Sequence, residues 1–245
     1  MSETWIILGA TSSMARPFMR KLAAAGHSLI LAGRDMDDLN ASCTDAMARG
    51  ATFAEAAALD VRNADTFQPI IDRAVGLHSI VNVAVFVGSM PDQSDIDADP
   101  SLIDGVVIDS LTGPARFLQM IAPQMEEIGA GVVVGVGSVA GDRGRIANYV
   151  YGAAKGGFAT YLSGLRNRLG RSGVHVMTVK PGPVDTAMTW GLGKMPFMTT
   201  ADAVANDILK GVRKKRNTIY TAGIWRIVMT VIRCVPEPIF KKMSF

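Results

Sequence analysis

The sequence is poor in residues that bind metal ions or form cross-links. Among its 245 residues are two cysteines and three histidines. Cys43 and Cys234 stand far apart in the chain, and neither belongs to a pattern with the spacing of zinc ligands. We therefore expect neither a disulfide framework nor a metal site, which argues against small disulfide-rich secreted folds and against zinc-dependent functions.

Long uninterrupted apolar stretches are also missing. Met1 leads almost directly into a short apolar run at residues 5–8, so no signal peptide is visible. The apolar stretch at residues 223–235 has thirteen residues and contains two arginines, which makes it too short and too charged to span a bilayer. We predict a cytoplasmic location, with peripheral contact at the inner face of the membrane left open.

The apolar residues that are present occur in short runs separated by stretches of helical pattern. The runs are continuous rather than alternating, which is typical of strands buried on both faces of a parallel sheet. They predict an α/β fold: a doubly wound, Rossmann-like parallel sheet of about seven strands in a three-layer α/β/α arrangement. We assign residues 1–222 to one dinucleotide-binding catalytic domain and residues 223–245 to a basic amphipathic extension. The runs lie at residues 5–8, 28–32, 56–61, 79–85, 131–136, 174–179 and 218–221.

A tyrosine and a lysine stand four residues apart in the run Y-G-A-A-K, at Tyr151 and Lys155. On a helix this spacing places both side chains on one face. An ammonium about 4 Å from a phenolate stabilises it by about 4 kcal/mol at an effective dielectric of about 20, which predicts a lowered phenol pKa. Such a tyrosine can exchange a proton with a carbonyl or an alcohol, and a hydroxyl such as Ser138 would hold the substrate oxygen. The alternative is an exposed helix with an incidental aromatic residue.

The amino-terminal run is followed by the sequence G-A-T-S-S-M-A and then by a helical stretch. A strand, a glycine turn and a helix N-terminus form the usual binding site for a dinucleotide pyrophosphate. Where a full fingerprint has three glycines, this chain has Gly9, Ser13 and Ala15. Taken alone, the segment is equally compatible with an ordinary strand-to-helix turn.

Six motifs in this order make the chain resemble the single-domain branch of the short-chain dehydrogenases/reductases. They are G-x-x-x-S-x-A from residue 9, L-D-V at 59–61, N-V-A-V at 82–85, Ser138, Tyr151 with Lys155, and P-G-P-V-D-T at 181–186. The resemblance covers residues 5–221 and implies an NAD(P)-dependent oxidoreductase that interconverts a ketone and a secondary alcohol.

The same resemblance implies the roles of individual residues. Tyr151 would act as general acid and base, Lys155 would tune it and hold the nicotinamide ribose, and Ser138 would position the substrate. Ser110 stands where the family commonly has an asparagine that holds a water in the proton relay. The residues implied in cofactor binding are Gly9, Thr11, Ser12, Ser13, Met14, Arg34, Asp60, Val61, Asn82, Val83, Ala84, Tyr151, Lys155, Pro181, Val184 and Thr186.

Some positions depart from the family pattern. Ser13 replaces a glycine of the phosphate-binding turn, and Val83 and Val85 stand where the family often has asparagine and glycine. These departures leave open a catalytically weak protein of the same fold that binds a dinucleotide for regulation, or a membrane-peripheral scaffold.

The choice of cofactor depends on the end of the second apolar run. Arg34 falls where this fold contacts the adenosine ribose, and an arginine there accommodates a 2′-phosphate. Asp35 follows it and would instead accept a hydrogen bond from a free 2′-hydroxyl. We predict NADP, with NAD as the alternative. Asp60 would bond the adenine amino group by resemblance, or serve as a helix N-cap.

The C-terminal residues are strongly basic. Nine Lys or Arg residues and one acid give residues 210–245 a charge of +8, whereas the whole chain carries +3. Arg226, Thr230 and Arg233 form one stripe of an apolar helix that has Trp225 at its edge. This pattern favours a membrane interface, and the alternatives are packing on the core or on another subunit. Nucleic-acid binding is not expected, because no recognition motif is present.

The segment after Thr186 indicates the substrate. A lid rich in methionine and aromatic residues suits a hydrophobic ketone or alcohol, and the tail is similar to that of ketoreductases acting on polyprenyl-phosphate-linked sugars. We expect a homodimer or homotetramer. The lid residues are Met188, Trp190, Leu192, Met195, Phe197 and Met198.

Overall fold

The computed structural model describes residues 2–186 and 196–243 and contains a parallel sheet flanked by helices. The strands are β1 (Glu3–Leu8), β2 (Ser28–Gly33), β3 (Phe53–Ala58), β4 (Ile80–Val85), β5 (Val132–Val136), β6 (His175–Pro181), β7 (Val184–Asp185), β8 (Thr199–Thr200) and β9 (Thr218–Thr221). The helices are α1 (Ala15–Ala24), α2 (Met36–Ala48), α3 (Phe67–Val75), α4 (Gln93–Ala98), α5 (Leu102–Val107), α6 (Gly113–Ile128), α7 (Tyr149–Leu169), α8 (Ala201–Arg213), α9 (Trp225–Cys234) and α10 (Glu237–Phe240).

Seven strands form the sheet in the order β3-β2-β1-β4-β5-β6-β9, while β7 and β8 pair separately. Every strand pair is parallel. The predicted doubly wound fold is confirmed, and each predicted run contributes a strand to the sheet. The strand order reverses between β1 and β4, which opens a crevice at the carboxyl ends of the strands, where ligands bind in this architecture.

Helices cover both faces of the sheet, so successive residues of a strand enter different parts of the core. In β1, Trp5 and Ile7 pack into one apolar cluster with α1 and α2, whereas Ile6 and Leu8 pack into another with α3 and α6. All four side chains are buried. This two-sided burial is the physical reason for continuous rather than alternating apolar runs.

Two local features of the fold bear on function. A π-helical turn at Ile108–Thr112 joins α5 to α6, and a 3-10 turn at Val139–Asp142 lies between β5 and α7.

Within the described ranges, no helix has the length and apolar character needed to cross a membrane. The division of the chain at residue 222 stays a prediction.

Candidate active site

A cavity of about 380 Å³ lies at the carboxyl ends of the strands, across the point where the strand order reverses. It runs from the turn between β1 and α1 to the first turns of α7. Residues from the ends of β2, β3, β4 and β5 form its walls. The lining residues are Gly9, Thr11, Ser12, Ser13, Met14, Gly33, Arg34, Leu59, Asp60, Val61, Phe86, Val87, Gly88, Asp109, Val136, Gly137, Tyr151, Lys155 and Thr186.

Tyr151 and Lys155 both reach this cavity from the first two turns of α7. They are 9% and 4% exposed, so the predicted shared face of the helix points inward rather than to solvent. The ammonium of Lys155 donates to the carbonyl oxygens of Val87 and Val136, each 3.1 Å away. It lies 5.9 Å from the centroid of the Tyr151 ring.

Burial controls the protonation of both groups. It raises the pKa of Tyr151 to about 12, and hydrogen bonding with the hydroxyl of Ser138 opposes that shift. It lowers the pKa of Lys155 to about 8. The lowered phenol pKa expected from the sequence is therefore not found. The reason is that the ammonium bonds to carbonyl groups, while the phenol loses its hydration.

Ser138 stands directly after Gly137, at the end of the loop from β5. Its hydroxyl oxygen accepts a hydrogen bond from the backbone N–H of Ala140 at 3.1 Å and so caps the 3-10 turn. The backbone thereby holds the side chain in one orientation. The structure thus brings Ser138 to Tyr151, as the sequence predicts.

Ser110 is fully buried in the π-helical turn. Its hydroxyl accepts from the N–H of Ser89 at 3.3 Å and contacts the Ser89 carbonyl at 3.4 Å. At Gly88, where φ is +158°, an added Cβ would lie 2.8 Å from Lys155 Nζ and 3.3 Å from Ser110 Oγ. Because Gly88 has no side chain, Ser110 and Lys155 can both lie close to its backbone. Ser110 itself belongs to a π turn, and such turns often occur at functional sites.

The glycine turn leads into a helix N-terminus that faces the cavity. Gly9 has φ of +77°, a conformation that L side chains rarely adopt. Residues 11–14 line the cavity immediately before α1. The first turn of α1 has no acidic residue, whereas Asp37 and Asp38 lie in the first turn of α2. The N-terminus of α1 therefore suits an anion.

Arg34 and Asp35, which the sequence leaves as rival ribose contacts, have different environments. Asp35 caps α2, because its carboxylate accepts from the N–H of Asp38 at 3.1 Å. Arg34 lines the cavity and takes part in none of the ion pairs found in the described ranges. This leaves its guanidinium available to a ligand.

Asp60 also lines the cavity, and its side chain accepts from the N–H of Arg62 at 2.9 Å. The alternative role as an N-cap falls to Asn63, which caps the 3-10 turn at Ala64–Thr66. Asp60 itself lies beyond β3, which ends at Ala58.

Three predicted cofactor ligands, Asn82, Val83 and Ala84, do not reach the cavity. They lie within β4 and are buried in the sheet. The Asn82 amide donates to Glu3 at 3.2 Å and its oxygen accepts from the N–H of Val132 at 2.8 Å, so it ties strands together. The prediction that these three residues contact the cofactor is therefore wrong, because β4 continues to Val85 and the cavity begins beyond it.

Eight residues of the cavity wall were not predicted. Several follow directly on strand ends, and Gly88, a glycine shortly after the run at residues 79–85, is a signal that could have shown where the chain leaves the sheet. Asp109 had no signal of its own, since its ion pair with Arg62 at 2.7 Å depends on tertiary structure. The eight are Gly33, Leu59, Phe86, Val87, Gly88, Asp109, Val136 and Gly137.

The remaining predicted residues lie around β6. Thr186 lines the cavity, Pro181 is the last residue of β6, and Val184 packs into the core. Phe197 and Met198 are 55% and 37% exposed. The other predicted lid residues, Met188, Trp190, Leu192 and Met195, lie outside the described residues.

Comparison with known proteins matches residues 3–196 to the family model described as short chain dehydrogenase. An uncharacterized oxidoreductase of Myxococcus xanthus is 32% identical over 97% of this chain and 94% of its own. An uncharacterized oxidoreductase of Mycobacterium tuberculosis is 28% identical over 97% and 96% of the two chains.

Among solved structures, a short-chain dehydrogenase from Sphingobium yanoikuyae in complex with NADPH superposes with a TM-score of 0.82. It is 21% identical, and the match covers 97% of each chain. The likeness of the tail to polyprenyl-phosphate-sugar ketoreductases stays a prediction, whereas the resemblance carried by the six motifs is confirmed. The chain belongs to the short chain dehydrogenase family of oxidoreductase enzymes.

Proposed function

We propose that the protein is an NADP-dependent oxidoreductase that interconverts a ketone and a secondary alcohol. The observation that carries this proposal is the burial of Tyr151 and Lys155 in one cavity with the N-terminus of α1 and with Arg34, which forms no ion pair among the described residues. A proton donor and an anion site in a single cavity are the two elements that hydride-coupled proton transfer needs.

The cavity suits a phosphorylated dinucleotide. The N-terminus of α1, free of acids in its first turn, would hold the pyrophosphate, and Arg34 would pair with a 2′-phosphate. The use of Asp35 as an N-cap favours NADP over NAD. The NADPH complex of the Sphingobium yanoikuyae protein supports the same choice. When bound, the nicotinamide supplies or accepts the hydride.

The proton transfer falls to groups of this chain. Tyr151, with a pKa of about 12, carries its proton at neutral pH and acts as the acid when a ketone is reduced. Ser138 holds the substrate oxygen. Lys155, with a pKa of about 8, is mostly charged at neutral pH, so its positive charge favours the phenolate that remains.

The substrate class is inferred from the residues that follow Thr186 in the sequence. The segment after Thr186 is rich in methionine and aromatic residues, and Phe197 and Met198 are exposed at its end. Methionine and aromatic side chains suit bulky hydrophobic ligands. We therefore assign a hydrophobic ketone or alcohol as substrate.

The test is turnover of a panel of hydrophobic ketones with NADPH and with NADH. Tyr151→Phe should lower turnover about a hundredfold or more, with little change in NADPH affinity. Tyr149→Phe is the matched control, because Tyr149 lies on the same helix but is 46% exposed and bonds to Asp97. Full activity of Tyr151→Phe would refute the mechanism. NADPH binding without turnover of any ketone or alcohol would instead indicate a regulatory dinucleotide-binding protein.

A further inference from the structure

Helix α9 carries apolar residues on two opposite sides, and the domain covers one of them. Trp225 and Met229 are 7% and 0% exposed. They form a cluster with Val139, the residue that follows Ser138. Trp225 also meets the ring of Phe197 edge-on, with 6.1 Å between the ring centroids. The side of α9 that carries the tryptophan is therefore occupied by the domain itself.

The other side of α9 is open. Ile227 and Val231, one helical turn apart, are 64% and 61% exposed, and Ile224 is 39% exposed. Ile239 and Met243, in and after α10, are 57% and 42% exposed. Helical spacing puts Ile224, Ile227 and Val231 on one side at the start and middle of α9, and Ile239 and Met243 follow in the next segment of the chain. We call these five residues the tail patch.

Arg143 fixes the orientation of the tail patch. Its guanidinium donates to the carbonyl oxygen of Val235 at 2.6 Å and pairs with Glu237 at 2.9 Å. It also lies over the ring of Phe240. These contacts hold α9 and α10 to the segment between Ser138 and Tyr151. The tail patch faces away from the domain, because Trp225 and Met229 occupy the side of α9 that packs against the domain.

The surroundings of the tail patch are cationic. Arg226, Arg233, Lys241 and Lys242 are exposed, and in the described part of the chain none of them forms an ion pair. The one acid between residues 224 and 243, Glu237, is paired with Arg143. Aliphatic side chains bordered by uncompensated cations are the composition that binds an anionic lipid interface.

We propose that the tail patch docks on the surface of an anionic bilayer. The aliphatic side chains would enter the interface, and the four cations would meet the lipid headgroups. A second copy of the chain fits less well, because a two-fold contact through this patch would bring the same cations of both subunits together. Since α9 lies between the patch and Val139, the bilayer would lie about 10 Å from the residue beside Ser138.

This docking differs from the one that the sequence indicates. The helical pattern predicts that the apolar face with Trp225 meets the membrane, whereas the structure places that residue against the domain. Removing the residues after Thr221 would uncover Val139, so a truncation would disturb the domain as well as the patch. Point substitutions on exposed residues test the proposal more cleanly.

The experiment is flotation of the full-length protein with vesicles of phosphatidylcholine alone or with about a third phosphatidylserine. We expect binding to the anionic vesicles that weakens as salt is raised. The double variant Ile227→Glu with Val231→Glu should lower binding about tenfold or more, because it places two acids in the patch. Met47→Glu is the matched control, since Met47 is 48% exposed on α2.

Two results would overturn the proposal. One is an absence of flotation with anionic vesicles at low salt. The other is equal flotation of the wild type, the double variant and Met47→Glu. Light scattering adds a second readout, the oligomeric state. If the wild type is an oligomer that does not float with vesicles, and the double variant is a monomer, the patch is a contact between copies of the chain and the proposal is wrong. Flotation that depends on the patch, whatever ketone the enzyme reduces, supports the proposal independently of the proposed function.

Discussion

The guanidinium of Arg143 lies 3.6 Å from the centroid of the Phe240 ring. This contact joins the segment after Ser138 to the last helix of the described chain. Arg143 is itself largely buried, with 16% of its side chain exposed. The C-terminal helices are therefore attached, through this arginine, to the loop between Ser138 and Tyr151.

Arg143→Ala should release α9 and α10 from the domain. The substitution removes the hydrogen bond to Val235, the ion pair with Glu237 and the contact with Phe240. Limited trypsin digestion followed by mass spectrometry should show cleavage after Arg233 accelerated about tenfold or more, because local opening exposes that bond. Arg143→Lys should restore protection only in part, since a lysine lacks the planar fork.

The control for this experiment is Arg73→Ala. Arg73 also combines an ion pair, with Glu55 at 2.7 Å, and a contact over an aromatic ring, that of Phe53 at 4.9 Å. It lies on α3, away from the tail. Faster cleavage of the tail in both variants would contradict the specific role of Arg143.

Arg34→Ala should weaken NADPH binding by about one to two orders of magnitude, because charge-assisted hydrogen bonds contribute about 1.5–3 kcal/mol. NADH binding should be almost unchanged. Isothermal titration with both cofactors measures the difference. Asp35→Asn serves as a control, since asparagine retains the N-cap of α2. Equal losses for both cofactors in Arg34→Ala would assign the preference to another group.

Gly88→Ala should impair catalysis. The added Cβ would lie 2.8 Å from Lys155 Nζ, and φ at this position is +158°. Displacement of the ammonium should lower turnover about tenfold or more, because small shifts of a catalytic group are costly. Gly144→Ala is a matched substitution in the loop before α7, since no atom lies within 4 Å of its Cβ position. Equal activity of the two variants would show that Lys155 tolerates the displacement.

Lys155→Met should change stability in a pH-dependent way. The folded-state pKa of about 8 lies below the ordinary value of 10.5, so the unfolded chain binds more protons between these values. Titration of Lys155 therefore increases the free energy of unfolding of the wild type as pH rises through this window. The free energy of unfolding of Lys155→Met relative to the wild type should fall by about 2 kcal/mol between pH 7 and pH 10. Urea denaturation at both pH values measures it, and a constant difference would contradict a depressed pKa.

Much of the fold was predictable from the sequence because local rules govern it. Buried parallel strands are apolar on both faces, so each of the seven continuous runs marked a strand. The spacing of Tyr151 and Lys155 gave their shared helix face, because helix geometry alone decides which residues lie together. The glycine turn before α1 was likewise visible, since a left-handed residue such as Gly9 is readable in the sequence.

Tertiary structure decided what a local pattern leaves open. A continuous apolar run predicts a strand but not which residues near its end reach a ligand, so Asn82 to Ala84 lie within β4, and Phe86 to Gly88 reach the cavity instead. The spacing of Tyr151 and Lys155 likewise does not give their pKa values, which depend on hydration and on carbonyl groups contributed by distant strands.

Helix α9 shows the same limit. Its sequence contains Trp225 and Ile227 among apolar residues of similar character, yet one is 7% exposed and the other 64%. The helical period determines that two residues lie on different sides, but not which side meets the domain. That choice depends on Val139 and Arg143, which are distant in sequence and come close to α9 only after the chain has folded.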